Sequence, residues 1–136
     1  KPLTLNHTED DKCFYSPTTD SITMTLQGLF VDSDSYYKTL FHEMSHSSGH
    51  KDRLNRKTLV ENKGVHGDTE TYSKEELVAE VSSLYLTGIV GLEPKDSSKN
   101  SQAYLNGWIK FAEEDKKGAM VHAMTQASKS VNYILG

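Results

Sequence analysis

Two histidines one helical turn apart, His42 and His46, stand inside a stretch whose large apolar residues also recur at intervals of three and four. Tyr37, Leu40, Phe41 and Met44 carry that period, which predicts an amphipathic helix beginning near Ser33 and closing at Gly49. Ser33, Asp34 or Ser35 can cap its start. This helix constrains the fold more than any other segment. Residues four apart share one face, so both imidazoles and the neighbouring Glu43 must look toward one place. Whatever covers that face has to satisfy polar groups as well as apolar ones.

The chain before the helix carries strand signals at residues 3–5, 13–15 and 22–26, where Thr alternates with apolar side chains. Residues 16–21, Ser-Pro-Thr-Thr-Asp-Ser, have turn chemistry between the second and third runs. After Gly49, residues 51–72 are polar and include Gly64 and Gly67, which predicts a long surface excursion. A second helix is expected from about residue 73 to 87, with Leu77, Val78, Val81 and Leu84 as its apolar stripe and Gly88 and Gly91 ending it. A polar linker over residues 95–100 leads to two further helical segments, 103–114 with Tyr104, Trp108 and Phe111, and 120–134. The expected fold class is α+β: a small antiparallel sheet packed on the His42 helix and on a Glu-bearing second helix, with further helices at the C-terminal end.

A chain of 136 residues with 35% hydrophobic content can bury one modest core, so residues 1–136 are expected to form a single domain. Because it begins at Lys1 and Pro2, that domain is expected to be excised from a longer protein. The lone cysteine, Cys13, excludes an internal disulfide and points to a reducing, cytoplasmic setting. No apolar run reaches the roughly 20 residues a membrane span needs, so no membrane partner is expected. The net charge of −4 argues against a basic nucleic-acid surface. Lys51, Arg53, Arg56 and Lys57, like Lys110, Lys116 and Lys117, read as solvated charge on helical faces.

His42-Glu43-Met44-Ser45-His46 has the HExxH pattern of the zincins. Two histidines at this spacing can bind one Zn2+, which would lower the pKa of a coordinated water, and Glu43 is placed to take the proton of that water and return it to a leaving group. A catalytic zinc needs a third protein ligand, and three carboxylates compete. Glu76 and Glu80 lie four apart on the second helix, one able to ligate and the other to accept a histidine N–H. Glu76 also stands three residues after Ser73, the spacing of a capping box. Glu80 lies among Leu77, Val81 and Leu84, where a carboxylate needs a partner. Asp52 completes HExxHxxGxxD, with Gly49 allowing the chain to turn back on the metal. Of these, Glu76 is favoured as the ligand, Glu80 as its support and Asp52 as the alternative, while His50 is expected to be exposed or to support a ligand without ligating itself. Tyr72 or His66, on the rim formed by the 57–72 segment, is expected to stabilise the oxyanion made when water attacks a carbonyl.

Four blocks of sequence together resemble a family: Tyr36 to Glu43, His46-Ser47-Ser48-Gly49-His50, Arg53-Leu54-Asn55-Arg56, and Glu75-Glu76-Leu77-Val78-Ala79-Glu80. They are similar to the C-terminal zincin-like metallopeptidase domain of ArdC-type antirestriction proteins and related conjugative-plasmid primase-associated proteins. The resemblance runs from Phe14-Tyr15-Ser16-Pro17 to the end of the chain. It implies His42 and His46 as ligands, Glu43 as base and the Glu76/Glu80 pair as acidic ligand and support, and it lowers the standing of Asp52. It further implies a preceding domain that binds single-stranded DNA, in a protein that protects mobile DNA from restriction. The segment 56–72 is longer than the family's usual link into the Glu-rich helix.

Two functions follow as expectations. One is a zinc-dependent metallopeptidase acting on a peptide or protein. The other is a metal-stabilised, catalytically silent protein- or DNA-interaction module of an antirestriction protein.

Overall fold

The computed structural model describes residues 3–61, 69–93 and 118–136, with the backbone alone for 69–73 and 119. The expected helix at 103–114, the 95–100 linker and His66 lie outside the described residues. Three strands come first: β1 (Thr4–Thr8), β2 (Phe14–Ser16) and β3 (Ser21–Thr25). In β3, alternation turns Ile22 and Met24 inward, and both are fully buried. After a 3-10 turn at Gln27–Leu29, α1 spans Ser33–Ser48, α2 Lys57–Val60, α3 Thr69–Val90 and α4 Ala119–Leu135.

The α+β class agrees with expectation, but the sheet is mixed rather than antiparallel. Its order is β1-β3-β2, with β2 antiparallel and β1 parallel to β3. Residues 9–13 carry the chain past the end of β3, where Asp10 O accepts from Thr25 Oγ1 at 2.5 Å, so β2 pairs on the far edge of β3 and β1 is left to run alongside it. A parallel pair needs a connection of roughly a dozen residues, and residues 9–20, with β2 inside them, supply one.

Asp32, one residue before the expected caps, starts α1 by accepting from Ser35 N at 2.8 Å. Tyr15, Ile22 and Met24 of the sheet pack with Tyr36 of α1 and Leu59 of α2, and Leu40 and Met44 line the same core. α3 begins a turn earlier than expected, so Ser73 lies inside the helix and the capping-box reading of Glu76 falls away. It also runs through Gly88. Its end comes at Gly91, whose φ of 77° is left-handed, and Leu92 N bonds back to Thr87 O at 2.9 Å. Against α3, α4 lays Ala123 and Ala127, both fully buried, beside Val78 and Val81. Small residues here let the two helices approach closely.

Residues 50–61 are not a free excursion. Leu54 N bonds Ser48 O and Arg56 N bonds Gly49 O, both at 3.0 Å, so the chain folds back over the end of α1. Asn55 absorbs the reversal in a left-handed conformation, φ 50°. The short α2 then buries Thr58 and Leu59. No helix among the described residues is long and apolar enough to cross a membrane.

Candidate metal centre

α1 and α3 meet through polar side chains. His42 and His46, one turn apart on α1, turn their Nε2 atoms toward the carboxylate of Glu76 on α3, His42 to Oε2 at 3.2 Å and His46 to Oε1 at 3.0 Å. Each imidazole is steadied from behind by another carboxylate of α3. His42 Nδ1 lies 2.6 Å from Glu80 Oε1, a contact of charge rather than an aligned hydrogen bond. His46 Nδ1 donates to Glu75 Oε2 at 2.7 Å. The helical period explains how one element does this: Glu76 and Glu80 share a face and Glu75 flanks it.

Glu75 was given no role of its own by sequence reasoning, and Arg56 and Thr58, which hold it, were not placed at the site. Arg56 Nε donates to its Oε1 and Arg56 Nη2 to its Oε2, both at 2.8 Å, while Thr58 Oγ1 donates to Oε1 at 2.7 Å. Glu75 is 2% exposed and Arg56 3%. The reading of the 51–57 cations as solvated charge is therefore corrected at two positions: Arg56 is buried against Glu75, and Arg53 pairs with Asp20. Charge density along a sequence does not report which cation the chain folds inward. The available signal was a second carboxylate, Glu75, next to one already assigned.

The electrostatics follow from this crowding. Burial works against charge on His42, but the carboxylates of Glu76 and Glu80 outweigh it and push its pKa up to about 10. For His46, burial is likewise overcome by Glu75 and Glu76, and its pKa rises to about 9. Burial would raise Glu75, yet Arg56 and His46 hold it at about 2. The two imidazoles similarly overcome the burial of Glu76 and keep it well below the usual carboxylate range. Glu43 differs. Its own burial dominates and pushes its pKa up, against the pull of His42 and His46 and of the Tyr15 backbone amide.

The ligand atoms of His42, His46 and Glu76 all lie within 4.8 Å of one another. Two imidazole nitrogens and a carboxylate oxygen form a donor set suited to zinc and similar divalent ions, and the carboxylates behind both histidines supply the outer support such sites require. These residues fit a metal. Asp52 is not brought to this cluster: its side chain is 75% exposed and lies 3.8 Å from His50 Nδ1. His50 Nδ1 itself accepts from Asp52 N at 3.1 Å. Tyr72 belongs to α3 by its backbone, and its side chain, like all of His66, lies outside the described residues.

Residues 2–126 match the family described as zincin-like metallopeptidase. The chain is 39% identical over 132 residues to DNA primase TraC of Escherichia coli, covering 97% of this chain and 9% of that protein. A second Escherichia coli DNA primase TraC is 38% identical over 132 residues, covering 97% of this chain and 12% of its own length. Among solved structures, the Mn(II)-bound form of the antirestriction protein ArdC from plasmid R388 matches with a TM-score of 0.75 and 32% identity over 98% of this chain and 47% of that one. The metal-free form of the same protein gives a TM-score of 0.72 at 31% identity, over 98% of this chain and 45% of that one. The chain thus spans about half the length of ArdC and about a tenth of the primases.

Proposed function

Because the chain belongs to the zincin-like metallopeptidase family, of the ArdC type, we propose that it is a zinc-dependent hydrolase acting on a peptide or protein. The observation that carries this is the convergence of His42, His46 and Glu76 beside a buried carboxylate, Glu43. A divalent ion bound by those three residues supplies Lewis acidity and makes a coordinated water more acidic. Glu43 takes a proton on its carboxylate and gives it up to the departing amine. Its raised pKa suits both halves of that exchange better than a solvated carboxylate would. Glu80 and Glu75 hold the Nδ1 side of each imidazole, so that both Nε2 atoms face Glu76 and would be free to bind an ion. Tyr72 or His66 completes the reading as the donor that stabilises the oxyanion.

The names of the relatives suggest a setting. TraC is a DNA primase and ArdC an antirestriction protein, and we place this chain as one zincin-like domain of a cytoplasmic protein in the same business of mobile DNA, beside a domain that binds single-stranded DNA.

A second reading draws on the same geometry. His42 and His46 come from α1 and Glu76 from α3, so an ion there could serve only to tie the two helices together. Glu43→Gln separates the readings, because it removes the base and leaves every proposed ligand in place. Peptide hydrolysis lost with metal content unchanged supports the hydrolase. Biological activity retained in the same variant supports the silent module.

A further inference from the structure

Arg56 is among the least exposed charged side chains described, and the hydrogen bonds it makes go to Glu75, Ser45 and Ser48 rather than to a proposed metal ligand. Besides its fork on Glu75, it donates from Nη2 to Ser45 O at 2.8 Å and from Nη1 to Ser48 Oγ at 3.3 Å. It therefore joins the last turns of α1 to α3. Its guanidinium rests on Gly49. A Cβ built there would stand 2.8 Å from both Arg56 Cζ and Arg56 Nη2, and 3.2 Å from Arg56 Cβ. The φ of Gly49 is −82°, open to any residue. Its backbone does not require glycine; the arginine lying over it does.

We propose that Arg56 is a positioning residue for His46: seated on Gly49 and acting through Glu75, it fixes the imidazole with Nε2 toward the metal position. This rests on the reading of His46 as a metal ligand. Four donors hold the Glu75 carboxylate, Arg56 Nε and Thr58 Oγ1 on Oε1, Arg56 Nη2 and His46 Nδ1 on Oε2. A carboxylate pinned at both oxygens cannot swing. It accepts only, so the imidazole keeps its N–H at Nδ1, and the nitrogen left to give up its proton and bind a metal is Nε2. The glycine of the HExxHxxG pattern thereby acquires a role unrelated to turning the chain back on the metal. Lysine could replace the charge of Arg56 but not its planar fork.

The test is a zinc titration of the intact protein as wild type, Arg56→Lys, Arg56→Met, Gly49→Ala and the Gly49→Ala/Arg56→Met double variant. Melting of the metal-free forms and the imidazole 15N shifts of His46 are recorded beside it. Each single variant should bind zinc about 10- to 100-fold more weakly, as expected for a residue that orients a ligand. The double variant should bind no more weakly than Arg56→Met, because the glycine acts only through the arginine. Taken at alkaline pH, where the metal-free imidazole is neutral, the 15N shifts should show the Nδ1–H tautomer in the wild type and a mixture in Arg56→Met. Unchanged affinity in Arg56→Lys and Gly49→Ala, or losses that simply add in the double variant, overturn the proposal. So does affinity that falls only in step with metal-free stability. Absence of zinc binding by the wild type would instead overturn the reading of the site, and the tautomer comparison would still decide whether Arg56 positions His46.

Discussion

Arg53 holds Asp20 through two parallel hydrogen bonds, Nη1 to Oδ1 at 2.9 Å and Nη2 to Oδ2 at 2.7 Å, and so ties the β2–β3 turn to the end of α1. Tyr15 OH adds a third donor at 2.8 Å. Asp20 sits at φ 50°, a left-handed conformation that Asp and Asn tolerate better than other side chains. The arginine outweighs the effect of burial and brings the Asp20 pKa down from 3.8 to about 2. A depressed carboxyl stabilises the fold fully above its unfolded value, about pH 4, and that contribution disappears as pH falls through about 2. Its size is on the order of 2 kcal/mol. Asp20→Asn keeps the backbone and should flatten the loss of stability between pH 4 and 2. Urea unfolding across that range, wild type against variant, measures the difference, and parallel curves would refute it.

The three carboxylates once in competition for the metal can be ranked by zinc titration. Glu76→Ala should weaken binding most, since it leaves two histidines and solvent. Glu80→Ala should cost about 10- to 100-fold, because it frees His42 without removing a ligand. Asp52→Ala, at an exposed position, should change nothing. A dominant effect of Glu80 or Asp52 would reassign the ligand.

Metal binding must displace protons. In the metal-free protein His42 and His46 have pKa values raised to about 10 and about 9, so both are charged at pH 7. Raised histidines stabilise the metal-free fold fully below about pH 6.5, and the effect is lost as pH climbs through 9 to 10. A ligand must be neutral, so zinc affinity should rise with pH over the same interval. Calorimetry in buffers of different ionisation enthalpy should find about two protons released per ion at pH 7. Chelation should also lower the melting temperature. A buffer-independent heat of binding would contradict the assignment of both histidines.

Ala127 is fully buried where α4 crosses α3 beside Val78 and Val81. Ala127→Leu inserts volume for which neither helix leaves room and should destabilise the protein by about 1–3 kcal/mol. Denaturant midpoints check this, and an unchanged midpoint would mean that the helices are less tightly packed than described.

Much of the centre was legible because its spacing is mechanical. The turn between His42 and His46 and the turn between Glu76 and Glu80 each fix a face, and the two faces meet. The alternation in β3 was equally plain, since Ile22 and Met24 point the same way in any strand. The parallel course of β1 was not, because residues 9–13 decide it and carry no periodic signal. Arg56 was missed for a related reason. Its burial depends on Asn55 reversing the chain and on Gly49 making room, and neither is visible in the local run of charge.

Ser48 Oγ and Ser130 Oγ share a hydrogen bond of 2.7 Å across 82 residues of sequence. Ribosomes add roughly 5–20 residues each second, so α1 waits several seconds after its own synthesis for the helix that seals it. During that interval the serine-rich end of α1, buried in the finished protein, is open to water and to proteases. Released chains truncated before Ala119 should be cut within α1, and the intact chain should resist. The sealing of that end of α1 is thus a late product of synthesis, even though its histidines are made early.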